Sequence, residues 1–108
     1  MQVAAIVVNY NDVETTLAQI ERLEALPSIA KVIVVDNNSS DDSRVRLKAR
    51  ACERVIFIQA KRNGGYGYGN NIGLYYAHEN HFDMALIANP DTYISEDVLK
   101  KMCVILKK

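Results

Sequence analysis

Two carboxylates, an aromatic ring and a glycine-rich stretch stand out as residues that could do chemistry together. Asp36 sits in Val34-Val35-Asp36-Asn37-Asn38-Ser39, Asp91 in Asn89-Pro90-Asp91, and Tyr10 directly follows an apolar run. All five glycines of the chain fall within Asn63-Gly64-Gly65-Tyr66-Gly67-Tyr68-Gly69-Asn70-Asn71-Ile72-Gly73, just after Lys61 and Arg62. Glycine tolerates positive φ and lets backbone approach a ligand closely. Ile72, Tyr75 and Tyr76 then begin a helical apolar pattern, so the stretch reads as a loop feeding a helix N-terminus, a natural place for phosphate. On glycine content alone, a tight strand-to-helix connection fits equally well. Asp36 can accept a base-ring N–H or ribose hydroxyls, and Tyr10 can stack on a base. Asp91 is a hard oxygen ligand for Mg²⁺ or Mn²⁺, ions that bind through one or two carboxylates plus substrate phosphates. Together these groups suit a nucleoside diphosphate with a divalent cation.

The elements that position them follow from hydrophobic patterning. Val3 to Val8 is a continuous apolar run, as expected of a strand buried on both faces. Asn11 and Glu14 resemble a capping box, and Val13, Leu17, Ile20 and Leu23 share one helical face that ends before Pro27. Val32 to Val35 is a second strand. Asp36 to Ser43 forms a turn and a helix start, and the helix carries Arg44, Arg46, Lys48 and Arg50 on a solvated face. Val55 to Ile58 is a third strand. After the glycine stretch a helix runs to about His78, and Met84 to Ala88 is a fourth strand. Ser95 caps a last helix containing Val98, Leu99, Met102, Ile105 and Leu106. Strands alternating with helices predict a Rossmann-like parallel sheet covered by helices. Ligands of such sheets bind beyond the carboxyl ends of the strands. That is where Asn9 and Tyr10, Asp36 and Asn38, the glycine stretch, and Asn89 to Asp91 all fall.

Composition narrows the function further. The chain has 108 residues, enough for one domain, and 49% are hydrophobic. Its formal net charge of zero argues against a general polyanion binder, so no nucleic-acid partner is expected. No apolar run is long enough to span a membrane. Met1 leads into an apolar run without a basic region or cleavage site, so no signal peptide is read. Cys52 and Cys103, on separate predicted helices, read as buried reduced thiols, which suits a cytoplasmic protein. The first strand is followed by no glycine fingerprint, and no G-x-x-x-x-G-K-[ST] is present. The acidic cluster of a receiver domain and zinc-type Cys/His spacing are missing too.

The V-V-D-N-N-S segment, the Asn63 to Gly73 stretch and Asn89-Pro90-Asp91 together resemble the inverting glycosyltransferases of family 2, nearest to rhamnosyltransferase-like members. The resemblance runs from Val3 to about Met102. Each motif alone is weak; their order and spacing together are specific. The resemblance implies the nucleotide-binding half of a GT-A fold, with a nucleoside-diphosphate-sugar bound over the first half of the sheet. Tyr10 matches the residue that packs on the base, and Asp36 the acid that contacts it. Asn63, Gly65 and Asn71 match the family's loop and following helix, and Asn9, Asn38, Tyr66 and Asn89 complete the nucleotide-binding set. Asn89-Pro90-Asp91 matches the D-x-D metal motif with its first acid replaced, which leaves Asp91 as the principal ligand for Mg²⁺ or Mn²⁺. dTDP-rhamnose fits the motif style, with UDP-linked sugars left open. The implied acceptor is a glycan or lipid-linked glycan at the cytoplasmic face of the membrane.

The family's general base lies well downstream of the metal motif, in the acceptor-binding half. By that resemblance the base is expected beyond Lys108, and no catalytic residue is assigned within the chain. The chain is therefore expected to be the donor-binding half of a longer enzyme, without turnover of its own. Apolar surface left by a missing half would favour a homodimer. Other readings stay open: a non-catalytic nucleotide-binding module, or a nucleotidyltransferase. The latter usually places its basic glycine-rich loop after the first strand, whereas this loop follows the third. Individually, Asp36 fits an Asx turn, Asp91 a turn after Pro90, Tyr10 a half-buried aromatic, and Lys61 and Arg62 solvated charge.

Overall fold

The computed structural model describes residues 2–89 and 104–105. Four apolar runs form strands β1 (Val3–Asn9), β2 (Ile29–Asp36), β3 (Val55–Gln59) and β4 (Met84–Ile87). Helices α1 (Val13–Glu24), α2 (Ser43–Arg50) and α3 (Gly65–Glu79) alternate with them. A short fifth strand, β5 (Val104–Ile105), completes the sheet. The sheet order is β3-β2-β1-β4-β5, with β1 to β4 parallel. This is the expected Rossmann-like α/β arrangement.

Strand order reverses at β1, which pairs with β2 on one side and β4 on the other. Because parallel crossovers keep one hand, the reversal sends α3 to the opposite face from α1 and α2. Side chains of β1 accordingly alternate between two cores. Val3, Ala5 and Val7 join Val13, Ile20, Leu23 and Leu47 of α1 and α2. Ala4, Ile6 and Val8 join Ala77 of α3 together with Ile33, Val35 and Phe82. Every residue of β1 is buried, which explains its unbroken apolar run.

Several local expectations are corrected. Helix α3 starts at Gly65, so most of the glycine stretch is helix and the connecting loop is short. A Cβ at Gly69 would lie 2.7 Å from Val8 Cγ1, and one at Gly73 would lie 2.5 Å from Ile6 Cγ2. These two glycines let α3 lie against the sheet; they face core, not ligand. Tyr75, expected on the apolar face, is 69% exposed. Asn11 does not cap α1. Asp12 is the N-cap residue and makes no side-chain capping bond, while Asn11 has φ 50° and bonds to the loop after β2.

The charged face of α2 is only partly solvated. Arg46 pairs with Glu14 at 2.5 Å, and Arg50 pairs with Glu24, tying α2 to α1. Cys52 is exposed and free, in the connection after α2 rather than on a helix. Ile105, expected in a last helix, belongs instead to β5, antiparallel to β4. Val104 and Ile105 are both β-branched, and the open edge of β4 offers them ladder partners, so tertiary pairing overrides the helical spacing. Ser95, Val98, Leu99, Met102, Cys103 and Leu106 lie outside the described residues, as does Asp91. Lys108, the residue beyond which the general base is expected, lies outside them too.

Candidate functional site

The carboxyl ends of β1 and β2 are joined by a buried polar chain. Asn9 and Asp36 are register partners on adjacent strands and are both 0% exposed. Thr16 of α1 donates its hydroxyl to Asn9 Oδ1 at 2.6 Å, and Asn9 Nδ2 donates to Asp36 Oδ1 at 3.0 Å. Ser39 donates its hydroxyl to Asp36 Oδ1 at 2.6 Å and its backbone N–H to Asp36 Oδ2 at 3.0 Å. Asp36 is thus a buried carboxylate held by three donors, with no cationic side chain among the described residues paired to it. Its bond from the Ser39 backbone N–H suits an Asx turn, and burial of its charge is tolerable because each oxygen is hydrogen-bonded.

The loops above this floor are clasped together. Asn11 Oδ1 accepts from Ser40 N at 2.8 Å, and Asn11 N donates to Ser39 Oγ at 2.9 Å. Asn11 and Asn38 both hold left-handed backbone, with φ 50° and 61°, a conformation that asparagine tolerates better than most side chains. Tyr10 and Tyr66 are 41% and 54% exposed, unusual for rings of that size. Such rings are free to stack on a planar ligand.

The third element is the short loop into α3. Gly65 has φ +86°, which strongly favours glycine. A Cβ at Gly64 would meet the Tyr68 ring, and Arg62 lies over that ring, 4.4 Å from its centroid. Asn63 Oδ1 accepts from Gly65 N at 3.1 Å and from Asn37 Nδ2 at 3.1 Å. Asn37 Nδ2 also donates to Gly65 O at 2.9 Å. The N-cap residue Gly64 has no side chain to cap α3, the Gly65 N–H is taken by Asn63 Oδ1, and the helix dipole favours an electron-rich group at this end.

Asn37 is the residue that sequence reasoning passed over. It is 2% exposed, yet among the described residues nothing donates to its Oδ1. A buried polar atom without a partner is uncommon and calls for an explanation. Its place in the V-V-D-N-N-S segment was legible; its role was not, because the partners that fix its amide lie beyond the third strand.

The fourth element is the chain leaving β4. Gln19, fully buried on α1, donates Nε2 to Asn89 O at 2.9 Å, and its Oε1 accepts from Arg22 Nε at 3.0 Å. Asn89 itself is exposed. Asn71 lies farther along α3 and is exposed. The structure therefore brings Asn9, Tyr10, Asp36, Asn38, Asn63 and Gly65 to neighbouring loops at one sheet edge, with Tyr66 beside them. Asn71 stands apart. Among the described residues no cluster of three or more His, Cys, Asp or Glu could hold a metal ion. No helix among them is long and apolar enough to cross a membrane.

Comparison with known proteins agrees with this geometry. The model of glycosyl transferase family 2 matches residues 4–108. The low-salt glycan biosynthesis hexosyltransferase Agl10 of Haloferax volcanii is 30% identical over 101 residues, 93% of this chain and 31% of that protein. The mannosyltransferase PcManGT of Pyrobaculum calidifontis, solved with GDP-Man and Mn²⁺, superposes with a TM-score of 0.73 at 21% identity, over 91% of this chain and 30% of that one. S. aureus TarS (residues 1–349), solved with UDP, gives a TM-score of 0.68 at 28% identity, over 94% of this chain and 30% of that one. The chain thus spans about a third of the length of these relatives. With its parallel sheet, its polar strand ends and a family match over nearly every residue, this chain belongs to glycosyl transferase family 2.

Proposed function

We propose that this chain is the donor-binding part of an inverting glycosyltransferase that takes a sugar from a nucleoside-diphosphate-sugar. The observation that carries the reading is the set of polar residues at the carboxyl ends of β1 and β2, with Asn89 after β4, beside the reversal of strand order, in a member of this family. The base lies against Tyr10, with its edge toward the loop after β2. Asn37 supplies an acceptor for that edge, and Asp36 with Asn9 holds the loop in place. Asn38, Asn63, Gly65 and Tyr66 border the nucleoside, and Asn71 stands further along α3. The diphosphate extends toward Asn89, where the Asn89-Pro90-Asp91 motif begins.

Asp91, by its match to the family's metal motif, would hold a divalent cation, Mg²⁺ or Mn²⁺, together with the donor's phosphates, and Asn89 would serve as a neutral oxygen donor. When bound, such an ion stabilises the negative charge of the departing diphosphate. Support comes from PcManGT and from the Mycobacterium tuberculosis glucosyl-3-phosphoglycerate synthase, both solved with Mn²⁺ and a nucleotide. Among donors, dTDP-rhamnose is the proposal that the motif style favours, with UDP-sugars and GDP-mannose, suggested by the relatives, as its competitors. The acceptor is a glycan or lipid-linked glycan. Its hydroxyl gives its proton to a general base in the acceptor half of the enzyme, beyond Lys108.

The test is calorimetric titration of the chain and of Asp91→Ala with dTDP, UDP and GDP, each with and without Mn²⁺. Metal-dependent binding that vanishes in Asp91→Ala is expected, with the tightest nucleotide naming the donor class. Binding that is indifferent to both Mn²⁺ and Asp91 would remove the metal from the proposal. No binding of any nucleotide to the chain or to a longer enzyme containing it would remove the donor site.

A further inference from the structure

We propose that Gln19 is a positioning residue of the donor site: from inside helix α1 it fixes the chain where it leaves the sheet after β4, and so aims the start of the Asn89-Pro90-Asp91 motif at the diphosphate. The inference rests on the donor-site reading above and adds to it a residue that touches no ligand.

Gln19 is an unusual occupant of its place. It is wholly buried on the inner face of α1, where Val13, Ile20 and Leu23 are apolar. An apolar side chain there would hold the helix to the sheet without the cost of burying an amide. The amide is tolerated because both of its ends are bonded. Its Nε2 donates to Asn89 O at 2.9 Å, and its Oε1 accepts from Arg22 Nε at 3.0 Å. Arg22 thereby fixes which way the amide faces. Turning it over would set its nitrogen against an N–H and its oxygen against a carbonyl.

What the amide holds is the point where the sheet lets go. Strands β1 and β4 stay in register as far as Ile6 and Ile87. One more backbone bond, from Ala88 N to Ile6 O at 2.9 Å, carries the pairing a residue further. Strand β1 runs on to Asn9, but β4 has ended. Asn89 comes next and is exposed, and its carbonyl is gripped from α1. Apolar contact has no preferred direction, whereas a hydrogen bond to a carbonyl does. Because a peptide unit is planar, fixing this carbonyl fixes the plane that joins Asn89 to the rest of the motif. The residue before a proline is also restricted to extended backbone. Gln19 therefore sets the direction in which Asn89 leads off from β4.

The experiment is calorimetric titration of the wild-type chain, Gln19→Met and Ile20→Val at fixed Mn²⁺, with urea denaturation of each. The ligands are the pairs UDP and UMP, dTDP and dTMP, and GDP and GMP, and the tightest-binding pair is the readout. Methionine matches glutamine in length and suits a helix, but it cannot donate to Asn89 O. Gln19→Met should lower the preference for diphosphate over monophosphate about fivefold, the worth of one neutral hydrogen bond, and leave monophosphate binding within about twofold of wild type. Ile20→Val trims the neighbouring core residue, so it should lower the urea midpoint and leave the preference unchanged. If Gln19→Met does not fold, Arg22→Met, which removes the donor to Gln19 Oε1, takes its place and should shift the preference the same way. An unchanged preference in a folded variant, or equal weakening of diphosphate and monophosphate, would overturn the inference while leaving the donor site standing. Equal binding of diphosphate and monophosphate to the wild-type chain would overturn it too. Failure of UDP, dTDP and GDP alike to bind the wild-type chain would instead bring down the donor-site reading on which it rests.

Discussion

Asp36→Ala is expected to destabilise the chain by about 2–4 kcal/mol in urea denaturation, the cost of stranding buried donors. The Ser39 backbone N–H would lose its acceptor, and the Ser39 hydroxyl and Asn9 Nδ2 would lose their shared oxygen. Asn9 keeps its bond from Thr16 and a 3.2 Å contact with Ser39 Oγ, which limits the damage. Against a typical total of about 5–15 kcal/mol for a domain, this is a large fraction. Asp36→Asn preserves the shape and one acceptor oxygen but turns an amide N–H₂ toward a neighbouring donor, so an intermediate loss of about 1–2 kcal/mol is expected. An Asp36→Ala chain as stable as wild type would show that the strand ends do not depend on this network. Nucleotide affinity should fall alongside, since the loop carrying Asn37 and Asn38 is anchored at Asp36.

The second large effect separates glycines of the same helix by sign. Gly73→Ala would place a methyl group 2.5 Å from Ile6 Cγ2, and Ile6 is wholly buried with no room to give. Overpacking of this kind costs about 1–3 kcal/mol. The gain in helix propensity, about 1 kcal/mol for Gly to Ala, offsets part of it. Gly67→Ala meets open space in the same helix and at ordinary φ, so it should gain up to about 1 kcal/mol instead. Trimming the obstacle with Ile6→Val should recover part of the loss in Gly73→Ala, a coupling that a double-mutant cycle would read. Thermal melts of the single and double variants suffice. Destabilisation by both alanines, or by neither, would mean that close approach of α3 to β1 is not what these glycines provide.

This contrast also shows how far the glycine stretch could be read in advance. Its clustering predicts a special segment after the third strand, and that segment is where Asn37, Asn63 and Gly65 meet. Its division of labour was not readable. Gly69 and Gly73 are spaced one helical turn apart, as a packing stripe requires, but the same letters serve a phosphate loop equally well. Only the position of Val8 and Ile6 beneath them decides. Asn11 makes the same point: its spacing to Glu14 fits a capping box, yet its side chain bonds across to Ser40, which is distant in sequence.

The sequence by itself determined the types of the four parallel strands and of the three helices between them, and the chemistry available at their ends. Continuous apolar runs require strands buried on two faces, and apolar residues at helical spacing require helices against them. Parallel alternation then puts Tyr10, Asp36, the glycine stretch and Asn89 at one edge. These are local rules, written in neighbouring residues. The tertiary structure alone decided the strand order, the pairing of Asn9 with Asp36, the antiparallel pairing of Ile105 with Met84, and the partners of the Asn37 amide. Each of those depends on residues far apart in the chain, whose meeting is set by register and by helix-to-sheet distance. A buried amide shows its consequence only when both of its partners are in place, and for Asn37 they arrive from the far side of β3.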